Sequence, residues 1–425
     1  MTPPTPGGDR RALVFIVALV FLDTMSFGLV IPVLPGLVME LGQVDLPRAT
    51  AIGGWLVMSF AVAQFLASPV LGALSDRFGR RPVLLISMGG HVLAFLIAAF
   101  AWSIPVLLLG RVIAGMTGAS FSTAYAYIAD VTPPGRRAQD FGLVGVAFGL
   151  GFMAGPALGG LLGGIDLRLP FLVAAGACAL NFALGLFVLP ESLAPDRRRA
   201  FDARRASPFL VFGRLSALRG PLLVLASVHF LWWLALQAQH SIWPYYTEFR
   251  YGWSPIQVGL SLGLVGGLAV LVNGLVVKRA VHLLGEGRTL QLGLAMGASA
   301  MLIYALSPKS LPVIAGILVG ALGGLAQSSL QALATAQSPA NEQGELQGLL
   351  NALSSLTIII GPVFYSQLFA RVSGAGAWAG APFLVAALLA LTALVLVRRG
   401  VGAMRLSPQA GAPGDARGDA TLIAG

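Results

Sequence analysis

Charge is scarce in this chain. Asp, Glu, Lys and Arg make up 10% of its 425 residues, where a soluble globular protein carries about a quarter, and this excludes a soluble globule. A single cysteine, Cys178, excludes an internal disulfide. There is no HExxH, no phosphate-cradling glycine loop and no nucleophile and base constellation. The chain is therefore not expected to be an enzyme or to hold a cofactor or metal. Acids are rarest where the sequence is most apolar: of 17 acidic residues, Asp23 alone falls near the middle of a predicted span.

What remains is hydrophobic, at 56% of the chain. About 20 apolar residues cross the hydrocarbon as a helix, and twelve such segments can be marked, separated by short polar breaks. Helices are the expected form, because lipid offers backbone N–H and C=O groups no other partner. The 54 glycines and 26 prolines are many for soluble helices but suit helices that pack closely or bend. The expected fold class is all-α integral membrane, with twelve transmembrane helices.

The net charge of +10 follows topology and does not point to nucleic acid. Of 27 Lys and Arg, 21 lie in the N-terminus, the even-numbered loops and the C-terminus, five lie in odd-numbered loops, and Arg111 lies within a span. The positive-inside rule then puts both termini in the cytoplasm. The start, MTPPTPGGDRR, leads into a full-length apolar span, so no cleaved signal peptide is expected.

Span 1, about residues 13–33, carries Asp23 and is expected to end in PVLP, where Pro32 and Pro35 break the helix. Spans 2 (about 52–73) and 3 (about 83–101) flank the stretch GALSDRFGRR, which packs Gly72, Asp76, Arg77, Gly79, Arg80 and Arg81 into a short hinge. Span 4 starts near 106, carries Arg111 in its first third and ends at Asp130. Span 5 contains Gly155-Pro156, and span 6 ends at Pro190-Glu191. Residues 191–219 turn basic and read as a cytoplasmic linker attracted to anionic lipid. Six more spans follow, at about 221–246, 256–277, 290–306, 311–334, 346–370 and 378–397. Residues 401–425 are expected to be a disordered cytoplasmic tail.

The halves repeat one another. Gly72 matches Gly274, Gly115 and Gly118 match Gly320 and Gly323, and Gly155-Pro156 matches Gly361-Pro362, at offsets of 202, 205 and 206 residues. Two pseudo-symmetric six-helix bundles, 1–190 and 220–400, with the substrate path between them near the membrane midplane, are the expected architecture.

The hinge resembles the loop between helices 2 and 3 of the major facilitator superfamily, G-x-x-x-D-R-x-G-R-R. FLDTMSFGLVIPVLP, GLGFMAGPALGG, WPYYTEFRYGWS and QGELQGLLNALSSLTIIIGPVFY resemble the tetracycline/proton antiporter group of multidrug exporters. The resemblance implies a monomer in the bacterial inner membrane that exchanges protons for an amphipathic small molecule by alternating access. It implies that the hinge is a conformational latch, with Asp76 capping the start of helix 11 and Arg80 pairing with Asp130. A mere topological anchor would explain the arginines but not the acid or the glycine spacing. Arg111 resembles the membrane arginine that the family connects with proton transfer. Gly155-Pro156 is a mark of exporters, as a pivot or as a plain packing kink.

Departures from the family bear on substrate. Tetracycline exporters place an acid in helix 3, a histidine in helix 8 and an acid in helix 9, where this chain has Ala94, Ala269 and Gly297, so tetracycline itself is not the expected cargo. Gln64, Gln237 and Gln331 match family polar positions. With Asn273, Gln327 and several aromatics they suggest an amphipathic cavity, although a glutamine alone is more often glue between helices than a ligand contact. His91 lies three residues before Ala94 and on nearly the same face, as a substitute titrating group or a packed ring; His240 is nearer the outer end of helix 7. An acid at mid-span costs roughly 2.5 to 3.5 kcal/mol on insertion scales and is usually functional or paired. Asp23 is accordingly the expected proton carrier, with Arg111 and His91. Two other readings stay open: an exporter of an endogenous metabolite such as a siderophore or metallophore, and a non-transporting membrane sensor.

Overall fold

The computed structural model describes residues 8–118, 120–199, 218–339, 342–374 and 378–404. Among these the apolar runs are helical and no β-strand occurs. The first half consists of α1 (Gly8–Val30), a 3-10 turn (Ile31–Val33), α2 (Leu34–Gly42), α3 (Leu46–Phe78), α4 (Arg80–Ala99), α5 (Ile104–Thr117), α6 (Ser120–Val131), α7 (Arg137–Gly163) and α8 (Leu169–Val188). The second consists of α9 (Gly220–Tyr251), α10 (Pro255–Leu271), a π turn (Val272–Val276), α11 (Val277–Leu284), α12 (Glu286–Leu306), α13 (Ser310–Ala321), α14 (Gly324–Ala336), α15 (Gln343–Gly374) and α16 (Ala381–Met404).

Among the described residues, eleven helical segments are long and apolar enough to cross a bilayer. The remaining place in the order, span 4, is taken by α5 and α6, which part at Gly118. Span 10 parts at the matching place, between α13 and α14 at Leu322 and Gly323. Span 1 departs from expectation, because Pro32 and Pro35 do not end it. They occupy early positions of the 3-10 turn and of α2, where a missing N–H leaves no ladder bond broken, and the helix runs on to Gly42. Of the expected linker, 200–217 lies outside the described residues, as does 405–425 of the expected tail; α16 passes the expected boundary at 400 and reaches Met404.

Within the first half, α1 packs on α7 and α8, α3 on α5, and α4 on α5 and α8; within the second, α9 packs on α15 and α16, and α12 on α13, α14 and α16. The halves meet where α7 lies on α10 and α3 lies on α15. These are spans 5 and 8, and spans 2 and 11. Exchange of the halves by a two-fold turns one pair into the other.

The Gly-Pro pairs sit at those meetings. Gly155 backs onto Gly28 of α1 while the Pro156 carbonyl lies on Gly259 of α10; Gly361 backs onto Gln237 of α9 while the Pro362 carbonyl lies on Gly54 of α3. A Cβ on Gly54 or Gly259 would enter the opposing backbone. Both α7 and α15 run unbroken through their prolines.

Contact between the halves is confined toward one end. At the end where α3 and α10 begin, Gln367 Nε2 donates to the Ala51 carbonyl at 3.3 Å, and a Cβ on Gly53 would strike the Tyr245 hydroxyl. Toward the hinge end, Gly72, Gly142, Gly145, Gly274, Gly344 and Gly348 have nothing within 4 Å of where a Cβ would stand. Among the described residues, the contacts between the halves gather toward the far end.

Candidate functional site

Two mid-span residues expected to titrate come together. Asp23 on α1 is 6% exposed, and its Oδ1 lies 3.9 Å from Nδ1 of His91 on α4. The His91 ring leans on Phe95, centroids 6.4 Å apart, and Cys178 Sγ of α8 donates to Ser26 Oγ of α1 at 3.7 Å. Arg111 stands elsewhere. Its electrostatic neighbour is the hydroxyl of Tyr245 on α9.

The expected cavity residues divide by what they already bond. Gln64 Nε2 donates to the Gly118 carbonyl at 3.0 Å, taking up an acceptor that the break in span 4 leaves free. Gln331 Nε2 donates to Gln347 Oε1 of α15, and Gln237 is buried against Gly361. Asn273, in the π turn, donates to the Ala269 carbonyl at 2.9 Å and accepts from Ser328 Oγ at 3.3 Å. Gln327 Oε1 is buried without a partner. His240 is exposed. At Gly297, where the family's helix 9 acid would stand, the Trp232 indole fills the room of a side chain.

His229 was not singled out by the sequence. Its Nε2 lies 2.8 Å from Ser354 Oγ and 3.1 Å from the Leu350 carbonyl, tying α9 to α15. Within the run VHFLWW nothing separates it from its apolar neighbours, and its partners lie more than a hundred residues away.

The hinge is a polar cluster inside the first half. Arg80 Nη1 lies 2.6 Å from Asp76 Oδ1, and its Nε lies 3.2 Å from Asp130 Oδ2. Ser192 Oγ donates to the same Asp130 oxygen at 3.2 Å. The Glu191 carboxylate accepts from the backbone N–H groups of Arg80 at 2.8 Å and Arg81 at 3.3 Å, so it caps α4, whose first N–H groups have no partner within the helix. Gly79 makes room for this cap: its φ is +110°, and a Cβ would collide with Glu191. Arg81 Nη2 donates to the Leu186 carbonyl at 2.7 Å, and the Arg199 N–H donates to the Asp76 carbonyl at 3.1 Å. Arg77 lies outside the cluster, exposed over the Phe78 ring.

The expected cap of helix 11 by Asp76 is not made in this state. Asp76 pairs with Arg80 instead, and Gly344 and Gly348 in the first turns of α15 have nothing within 4 Å of where a Cβ would stand. Glu191, read from the sequence only as the end of span 6, is the residue that does cap a helix. An acid just past an apolar span was the available signal, but nothing local says which helix it serves.

Residues 16–362 match the family model of the Major Facilitator Superfamily. The chain is 39% identical over 397 residues to the class C tetracycline resistance protein of Escherichia coli, covering 92% of this chain and 98% of that one. It is 37% identical over 390 residues to the class G protein of Vibrio anguillarum, again covering 92% and 98%. Among solved structures, the human organic anion transporter MFSD10 (TETRAN) superposes with a TM-score of 0.68 at 27% identity, covering 93% of this chain and 100% of that one.

Proposed function

Because the chain belongs to the Major Facilitator Superfamily, we propose that Asp23 and His91 couple proton entry to export of an amphipathic small molecule. The protein is a multi-pass inner-membrane transporter, and the relatives named above are tetracycline resistance proteins. The observation that carries the coupling is the approach of Asp23 to His91, two titrating groups on different spans, one of them buried. A proton gained or lost by this pair changes the attraction between α1 and α4. That is a two-state element that a proton gradient can bias.

The basic hinge end is assigned to the cytoplasm, so the state described here is open to the cytoplasm and closed at the far end. Export follows if cargo enters from this side and proton uptake from the far side resets the transporter. Closing the hinge end brings Asp76 toward the first turn of α15, where the helix dipole favours a carboxylate. The latch is then remade across the halves, and Gly155-Pro156, lodged between α1 and α10, is the pivot. The transporter works as a monomer, with the linker arginines against anionic lipid.

Substrate-driven proton movement in proteoliposomes tests this reading, screened over cationic, neutral and anionic compounds. Proton movement that depends on cargo and vanishes in Asp23→Asn is the expected result. Cargo movement without protons would leave a uniporter.

A further inference from the structure

Two hydrogen-bond donors lie buried and unused in the seam between the halves. Nε of Arg111, on α5 of the first half, is sealed from solvent with no partner, and so is the hydroxyl of Tyr245, on α9 of the second. The two side chains interact electrostatically. Tyr245 is held in place by α3, since its hydroxyl stands against Gly53; α5 runs beside α3, with Gly115 against the Phe60 carbonyl.

Among the described residues, no ion pair matches the Arg111 charge; the pairs present are Arg80–Asp76, Arg80–Asp130, His91–Asp23 and Arg168–Glu40. Glu248, one turn beyond Tyr245, acts on Tyr245 but makes no ion pair with Arg111. A guanidinium stays charged at any physiological pH, and burying it without a counter-ion is costly, so intramembrane charges mark ligand or ion paths. Tyr245 supplies a second O–H donor. What both groups lack is an acceptor, and the acceptor that also offsets the charge is an anion.

We propose that Arg111 and Tyr245 form a subsite for an anionic oxygen group of the cargo, such as a carboxylate, enolate or phenolate, so that this transporter carries amphipathic organic anions. The proposal rests on the transporter reading above and narrows its substrate class. It also changes the role of Arg111 from proton coupling to cargo recognition. Each half contributes one donor, so the anion is held while the far end is closed. Separating the halves there pulls Arg111 from Tyr245 and weakens the site, as release on that side requires.

Equilibrium binding to the purified full chain in detergent tests this, with fluorescein as an anionic probe and ethidium as a cationic one, read by fluorescence anisotropy. Arg111→Gln is expected to weaken fluorescein about tenfold or more, as for loss of a charged hydrogen-bonding partner, and to leave ethidium within about twofold. Tyr245→Phe is expected to weaken fluorescein by a smaller factor, and Arg111→Lys to retain part of what Gln loses. A Gln variant that is not monodisperse is replaced by the Tyr245→Phe and Arg111→Lys pair, whose selective loss of fluorescein carries the same conclusion. Equal losses for both probes, unchanged fluorescein binding, or a parent protein that does not bind fluorescein would overturn the proposal. Proton release is measured separately in proteoliposomes. If it is absent while fluorescein binding stays sensitive to Arg111, the antiport reading fails and the anionic subsite stands.

Discussion

Oδ1 of Asp23 and Nδ1 of His91 face each other across 3.9 Å, one from span 1 and the other from span 3. Neither span carries another acid or histidine at that depth. The strength of the contact depends on two protons, so each partner can be neutralised without altering shape, and the predicted consequences differ for the two.

Asp23→Asn mimics the protonated acid. It is expected to insert and to bind cargo, and to lose accumulation driven by an imposed pH gradient. Wild-type coupling in this variant would exclude Asp23 as an obligatory proton carrier.

His91→Ala leaves the acid and removes its partner. Expression should be normal, while transport falls and its pH dependence changes, because one of the two facing groups is gone. An unchanged pH profile together with an unchanged substrate range would assign the ring to packing.

Asp76→Asn is expected to stay folded, since the Asp76–Arg80 pair is half open to solvent on the acid side and such pairs contribute about 0 to 1 kcal/mol. Its effect falls on the state that is closed at the hinge end. Cysteine labelling should show that state depleted, with access from the far side reduced; labelling and transport equal to the parent on both sides would remove Asp76 from the latch.

Glu191→Ala removes the cap of α4 and should lower stability by about 1 kcal/mol, the usual cost of a lost N-terminal cap. Gly79→Ala should cost more, because it combines a strained φ of +110° with a Cβ inside the Glu191 contact. Thermal unfolding in detergent ranks the two; a Gly79→Ala midpoint above that of Glu191→Ala would contradict the cap geometry.

The spans were legible because a run of about 20 apolar residues has few other uses. The matched glycines were legible too, but not what they do. Gly118 and Gly323 read only as markers of the repeat, and both lie where a span breaks, because a glycine within an apolar run has the same local signature whether the helix continues or parts there. Pro32 misled for a similar reason: a proline early in a helix and a proline ending one look alike in sequence, and the difference is the backbone that follows. Asp23 could be picked out by its cost, but the approach of His91 depends on how α1 and α4 pack. Glu191 was missed because its partners, the N–H groups of Arg80 and Arg81, are backbone groups that no side-chain pattern records, and His229 because Ser354 and Leu350 lie more than a hundred residues away.

The paired Gly-Pro contacts restrict how the halves can part. Each flank of the molecule carries its own seam, α7 on α10 and α3 on α15, closed by backbone lying against glycine. Apart from Gln367, which reaches the Ala51 carbonyl across the α3–α15 seam, these contacts are backbone against glycine, so a separation of even an ångström or two loses most of their attraction at once. Flanks that let go together open the path straight to water. Flanks that let go one at a time swing the molecule about the seam still shut, and the first gap then faces lipid.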